Sequence, residues 1–165
     1  MAETKLAGNP VGLEGSFPAK GAVIDNFTAV QQDLSEFSLD AHDGKRKVLN
    51  IFPSIDTDVC ATSVRTFNQK AADLDNTVVV CLSMDLPFAQ KRFCGAEGIE
   101  DVVTGSLFRS IGTAQDLGLL MKDGPLAGLT ARAVIVLDGA NKVIHAQLVD
   151  DITQEPDYAA ALAAL

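Results

Sequence analysis

The chain has 165 residues, 47% of them hydrophobic and 21% charged, with no tryptophan and a net charge of −9. That length reads as one domain, 1–165, able to bury most of the surface its unfolded form exposes. The acidic balance argues against nucleic acid and anionic membranes as partners. Apolar runs such as 133–137 are too short to span a bilayer, and the first residues lack a basic stretch followed by an apolar one, so the expected location is the cytoplasm.

Residues 4–30 carry short β-like pieces broken by Asn-Pro, Gly and Pro, and read as an added N-terminal β-hairpin extension occupying about 1–30. The basic cluster "GKRK" at 44–47 reads as a solvated turn ahead of a buried strand, "KVLNIF", at 47–52. A helix is predicted over 60–74, where Ala61, Val64, Phe67, Ala71 and Leu74 recur at helical spacing. A β-branched strand at 76–84 follows, then a helix at 87–98 that opens on Pro87 and ends on glycine. A third, weaker strand–helix unit spans "DVVTGSLF" and "SIGTAQDLGL". "ARAVIVLD" (131–138), the turn "GANK" and "VIHAQLV" (143–149) predict an antiparallel hairpin, and the Ala-rich end predicts a closing helix with Pro156 in its first turn. This order is α/β with a mixed central sheet flanked by helices, compatible with a thioredoxin-like fold. Open sheets of this kind place ligands beyond the C-terminal ends of their strands, which is where 53–60 falls.

The three cysteines differ in setting. Cys60 stands at a strand-to-helix junction, after Thr57, where a helix N-terminus welcomes a thiolate, the competent nucleophile. Thr57 is a candidate helix cap or a hydrogen-bond partner of the sulfur. Cys81 lies inside "VVVCLSM" and reads as a small buried hydrophobe. Cys94 lies near the end of a helix beside Gly95 and Gly98, glycines that end a helix and ease its unwinding. That suits a resolving thiol and equally a half-buried helix residue. There is no C-x-x-C, and His42 and His145 show no metal-ligand spacing. His145 reads as a surface residue. No phosphate-binding, dinucleotide-binding or serine-hydrolase motif occurs, so no cofactor is asked for and the chemistry falls to side chains alone.

"PSIDTDVC", from Pro53 to Cys60, matches P-x-x-x-T-x-x-C. Together with "KVLNIFPSIDTDVCATSVRTFNQ", "DLPFAQKRFCGAEGIE" and "GPLAGLTARAVIVLD", it resembles the peroxiredoxins, and among them the bacterial atypical two-cysteine thiol peroxidases, over nearly the whole chain. The resemblance implies that Cys60 is the peroxidatic and Cys94 the resolving cysteine. It implies further that Pro53 and Thr57 shape the pocket and that Arg132 completes the active site, while Cys81 matches no functional position. It also implies hydrogen peroxide and alkyl or lipid hydroperoxides as substrates, thioredoxin as reductant and a homodimer. Each role has a physical rationale. Pro53 lacks a donor and shields the pocket, Thr57 can bridge thiolate and peroxide, and Arg132 is a permanent cation that stabilises developing negative charge. Leu86, Phe88 and Phe93 either line an apolar entrance or form the core face of their helix. The competing readings are a peroxide-sensing redox relay without high turnover, a general disulfide oxidoreductase, for which C-x-x-C is missing, and a non-catalytic binding module.

Overall fold

A computed structural model describes residues 3–165. Its centre is a seven-stranded sheet. Three strands run parallel: β5 (Arg46–Ile51), β6 (Thr77–Ser83) and β7 (Val103–Ser106). Between them pass α1 (Asp58–Ala71) and α2 (Pro87–Glu97), the two strand–helix units read from the alternating pattern. On the β5 side β9 (Ala133–Leu137) adds antiparallel, followed by β10 (Val143–Leu148). On the β7 side β3 (Thr28–Val30) and β4 (Glu36–Ser38) form an antiparallel hairpin that closes the edge. The mixed α/β sheet expected from the sequence is thus the one observed.

The first hairpin, β1 (Glu3–Leu6) and β2 (Asn9–Glu14), pairs with β8 (Leu120–Met121) in a separate three-stranded sheet. The short helices α3 (Ile111–Asp116) and α4 (Tyr158–Ala163) complete the chain. Asp157 caps α4 through its side chain, so Pro156 precedes the helix rather than entering its first turn.

Alternation along β5 and β6 divides the core. Leu49, Ile51, Val80 and Leu82 pack toward β2 and the 117–121 segment, where Val11, Leu13, Leu119 and Met121 meet them. Val48 and Val79 face the other way, toward Phe67 of α1 and Ala161 of α4. Farther along the same face Cys81 joins Phe52, Ile55, Cys60, Val64, Cys94 and Ile99. A sheet covered on both faces needs near-continuous apolar strands, which β5, β6 and β9 supply.

The basic cluster at 44–47 is not a solvated turn throughout. Lys47 is wholly buried, its ammonium donating to Asn141 Oδ1 at 2.6 Å. Asn141 adopts a left-handed conformation (φ 64°) in the β9–β10 turn, which brings its side chain to the lysine. Burial pushes the Lys47 amine down from its ordinary value, opposed by the nearby carboxylates of Asp43, Asp138 and Asp40. His145 is half-buried rather than a free surface residue, at a bulge in the β9–β10 pairing.

Candidate active site

The site grows from the end of β5. The strand ends at Ile51; Phe52 follows, its carbonyl accepting the buried Thr130 hydroxyl at 2.7 Å, and then Pro53, which has no N–H to extend the ladder. Thr57 then takes an extended backbone (φ −104°, ψ 148°) at the cap position of α1. Its carbonyl accepts the Ala61 N–H at 2.9 Å and so starts the helical ladder. Its hydroxyl neither caps the helix nor meets the sulfur, but donates to the Ser54 carbonyl at 3.0 Å.

Cys60 is the third residue of α1 and has no solvent exposure. From just before β9, whose start pairs with the end of β5, Arg132 extends its guanidinium to the sulfur, Nη2 donating to Sγ at 3.1 Å. Arg132 is itself only 1% exposed. Its Nε donates to the Ile152 carbonyl at 2.9 Å, which sets the plane of the guanidinium. Its Nη1 is buried without a hydrogen-bond partner among the described residues. A buried charged donor left unpaired is costly, and it stands ready for an incoming acceptor beside the sulfur. A cation hydrogen-bonded to sulfur pairs best with the anionic form of that sulfur.

Arg132 also lines a cavity of about 200 Å³ with Pro53, Thr57 and Val59. Its apolar wall comes from Leu6 at the end of β1, Leu126 in the loop after β8, and Ile152. These three are distant in sequence; Leu126 lies in the stretch that precedes Arg132, but no local pattern joins it to Leu6 and Ile152. Leu86 and Phe88 take no part in this wall; they are 50% and 64% exposed. Phe93 packs against the Cys60 cluster, with the Arg65 guanidinium 5.6 Å from its ring centre. A larger hollow of about 430 Å³ between 18–28 and α3 has no cysteine, histidine or arginine in its walls, so the smaller cavity is the one tied to chemistry.

Cys94 is buried on α2 and belongs to the same apolar cluster as Cys60. Its carbonyl accepts the N–H groups of both Gly98 and Ile99. Gly98 is left-handed (φ 66°), which any residue with a Cβ resists, so the predicted glycine stop falls there. Gly95 remains inside the helix. Burial pushes the Cys94 thiol up, opposed by a hydrogen bond with Gln32.

Cys81 is fully buried in β6, where burial pushes its thiol up to about 12. Its polar neighbour is the Asn50 amide, 3.7 Å away. All three cysteines are free thiols. The described residues contain no group of histidine, cysteine and carboxylate side chains able to hold a metal ion, and no helix among them is long and apolar enough to cross a membrane.

The arrangement supplies a nucleophilic sulfur, a fixed cation beside it, an apolar-walled cavity and a second thiol in the same cluster. Comparison with known proteins points the same way. The Redoxin family model matches residues 16–162. A thiol peroxidase of Corynebacterium glutamicum is 53% identical over 165 residues, spanning 100% of this chain and 99% of that relative. The crystal structure of a peroxiredoxin-like protein from Aquifex aeolicus superposes with a TM-score of 0.94 at 37% identity, over 99% of this chain and 95% of that one. A thiol peroxidase from Chromobacterium violaceum shares the fold with a TM-score of 0.89 at 20% identity, over 98% and 93% of the two chains. The chain therefore belongs to the redoxin family, and within it to the thiol peroxidases.

Proposed function

We propose that this protein reduces hydrogen peroxide and organic hydroperoxides at Cys60, resolves the oxidised sulfur with Cys94, and is recycled by thioredoxin. The observation that carries the reading is the buried Arg132 guanidinium, hydrogen-bonded to Cys60 Sγ at 3.1 Å and lining a cavity beside it.

In the first step the Cys60 thiolate attacks the terminal peroxide oxygen. The O–O bond breaks, the sulfur loses two electrons to become a sulfenic acid, and the alkoxide leaves as alcohol, or as water from hydrogen peroxide, after taking a proton. Arg132 stabilises charge on the departing oxygen, its unpaired Nη1 being the spare donor. Pro53 and Thr57 bound the cavity in which the peroxide sits. In the second step the Cys94 sulfur attacks the sulfenic sulfur, the S–O bond breaks and water leaves, forming an intrachain disulfide. A dithiol protein then reduces that disulfide through a mixed disulfide.

Leu6, Leu126 and Ile152 favour substrates with an apolar tail. A disulfide needs Cα atoms within about 7 Å, and both cysteines are buried within helices. Fraying around Cys60 and around 94–98 is therefore part of the cycle.

A homodimer is supported by exposed apolar side chains gathered beyond neighbouring strand ends. Leu86 and Phe88 follow β6, while Phe108 and Ile111 follow β7; all four are 42–64% exposed. Large apolar groups presented together mark interaction sites. The reducing cytoplasm is the compartment in which such a dithiol cycle is replenished.

The test is consumption of cumene hydroperoxide with thioredoxin, thioredoxin reductase and NADPH, comparing wild type with Cys60→Ser, Cys94→Ser and Cys81→Ser. Loss of turnover in the first two and retention in the third is the expected outcome. Normal turnover of Cys94→Ser would sink the resolving role, and activity in Cys60→Ser would sink the peroxidase reading. Stoichiometric oxidation without turnover in wild type would favour a redox relay.

A further inference from the structure

We propose that Asp85 is a positioning residue of the peroxide cycle. Its carboxylate holds the 53–57 loop in the geometry that receives peroxide, and its release allows the disulfide to form. The inference rests on the function proposed above.

Asp85 stands between β6 and α2, half-buried. One carboxylate oxygen accepts the Ser54 hydroxyl at 2.7 Å. The other accepts the Ile55 N–H at 2.7 Å and the Ser83 hydroxyl at 2.6 Å. Two of these three donors belong to the loop that leads into Cys60. Ser54 passes the constraint on: its carbonyl accepts both the N–H and the hydroxyl of Thr57, at 3.2 and 3.0 Å, and its hydroxyl accepts the Asp56 N–H at 3.2 Å. Thr57 in turn starts the ladder of the Cys60 helix. A continuous hydrogen-bonded path therefore runs from Asp85 through Ser54 and Thr57 to α1.

The same node reaches the Cys94 helix. Ser83 Oγ accepts from Gln90 Nε2 at 3.2 Å, and that amide also donates to the Gly105 carbonyl at 3.1 Å. Gln90 is buried on α2, one turn before Cys94 and on the same face. The Ser106 hydroxyl donates to the Asp85 carbonyl. Asp85 thus sits where the peroxidatic loop, β6, β7 and α2 meet.

Two ion pairs also join these elements, Asp56 with Arg92 and Arg65 with Glu97, at 3.1 and 2.9 Å. Their side chains are 37–70% exposed, and exposed pairs contribute little. Charge-assisted bonds to a partly shielded carboxylate are stronger, so the Asp85 node is the tether that matters. Without it the loop should be less often in the peroxide-receiving geometry and more often open. Oxidation of Cys60 and condensation with Cys94 should then respond in opposite directions.

The experiment measures both steps in wild type and Asp85→Asn by rapid quench with hydrogen peroxide and cumene hydroperoxide. Mass spectrometry follows sulfenic acid, disulfide and sulfinic acid. The amide replaces an acceptor oxygen with a donor, so it cannot hold both sets of partners. The expected result is Cys60 oxidation slowed about tenfold, as for losing one hydrogen bond to a charged group. Disulfide formation should be faster, and less sulfinic acid should form at excess peroxide. Ser54→Ala, which removes the hydroxyl that bonds Asp85 and accepts the Asp56 N–H but leaves the carboxylate, should show the same opposed changes at smaller size, and should add little in the Asp85→Asn background. Asp138→Ala, which loosens the distant 138–142 turn by removing the oxygen that accepts the N–H groups of both Ala140 and Lys142, should lower Tm and leave both rate constants unchanged. Unchanged constants in Asp85→Asn and Ser54→Ala, or both steps moving together, would overturn the positioning role. Unreactive Cys60 in wild type would instead bring down the function on which it rests.

Discussion

Cys60 and Cys81 are equally inaccessible and share one apolar cluster, yet their surroundings prepare them for opposite fates. Around Cys60 the chain brings a helix start, a guanidinium at 3.1 Å and a cavity behind that guanidinium. Around Cys81, in the middle of β6, it brings strands on both sides and one amide at 3.7 Å. Burial alone raises a thiol out of the reactive range, as it does for Cys81. What separates the two regions is therefore a fixed charge and somewhere for a substrate to stand.

Removing the charge is the most direct way to erase that contrast. Arg132→Met is expected to slow oxidation of Cys60 by about 10²–10³-fold, the usual cost of losing an oxyanion donor. Arg132→Lys should recover only part of it, because an ammonium cannot bond the sulfur and the Ile152 carbonyl in one plane while keeping a spare donor. Stopped-flow peroxide consumption reads both, and wild-type rates in Arg132→Met would remove the guanidinium from the chemistry.

The cavity is tested next. Leu126→Ser should raise KM for cumene hydroperoxide about tenfold, within the 1–3 kcal/mol typical of an apolar subsite, and leave hydrogen peroxide turnover almost unchanged. Equal effects on both substrates would mean that the apolar wall plays no part in selection.

On the Cys81 side the expected signal is stability rather than turnover. Cys81→Ser should cost about 1–3 kcal/mol in urea unfolding, because a buried hydroxyl replaces a weakly polar thiol, while peroxide turnover persists. In the native protein at pH 8, Cys81 should also resist iodoacetamide, its thiol lying near 12. Rapid alkylation there would show that β6 opens locally.

The smallest effect concerns the turn that supplies Arg132 with its backbone acceptor. Asp151 takes N–H groups from Ala7, Gly8 and Thr153 and the Thr153 hydroxyl, which hold its carboxyl at about 2 against an ordinary 3.8. A carboxyl depressed on folding stabilises the fold above its ordinary value, and that contribution is lost as pH falls from 3.8 through about 2. In Asp151→Asn the slope of Tm against pH should flatten over that window; an unaltered acid limb would show that the turn is held by other means.

Much of this organisation was legible beforehand. The alternation of strand and helix from residue 48 onward predicted β5–α1–β6–α2, because local periodicity reports which face is buried. The positions of Pro53, Thr57, Cys60, Cys94 and Arg132 came from a motif and its context. Asp85 left a fainter sign: an acidic residue between a strand and a proline-initiated helix invites a polar partner, but nothing local names Ser54 and Ile55. Lys47 misled outright, since charge clusters are usually solvated and only the approach of Asn141, 94 residues away, makes burial tolerable.

By itself, then, the sequence determined the order of elements from β5 to α2, the junction that bears Cys60 and the glycine stop after Cys94, all consequences of short-range backbone preference and hydrophobic period. Tertiary structure alone decided that Arg132 meets a sulfur 72 positions away, that Leu6, Leu126 and Ile152 wall one cavity, and that one carboxylate joins the loop before Cys60 to the start of the Cys94 helix. Those contacts arise from sheet order and packing, which bring together groups whose chemistry carries no local record of the partner each will find.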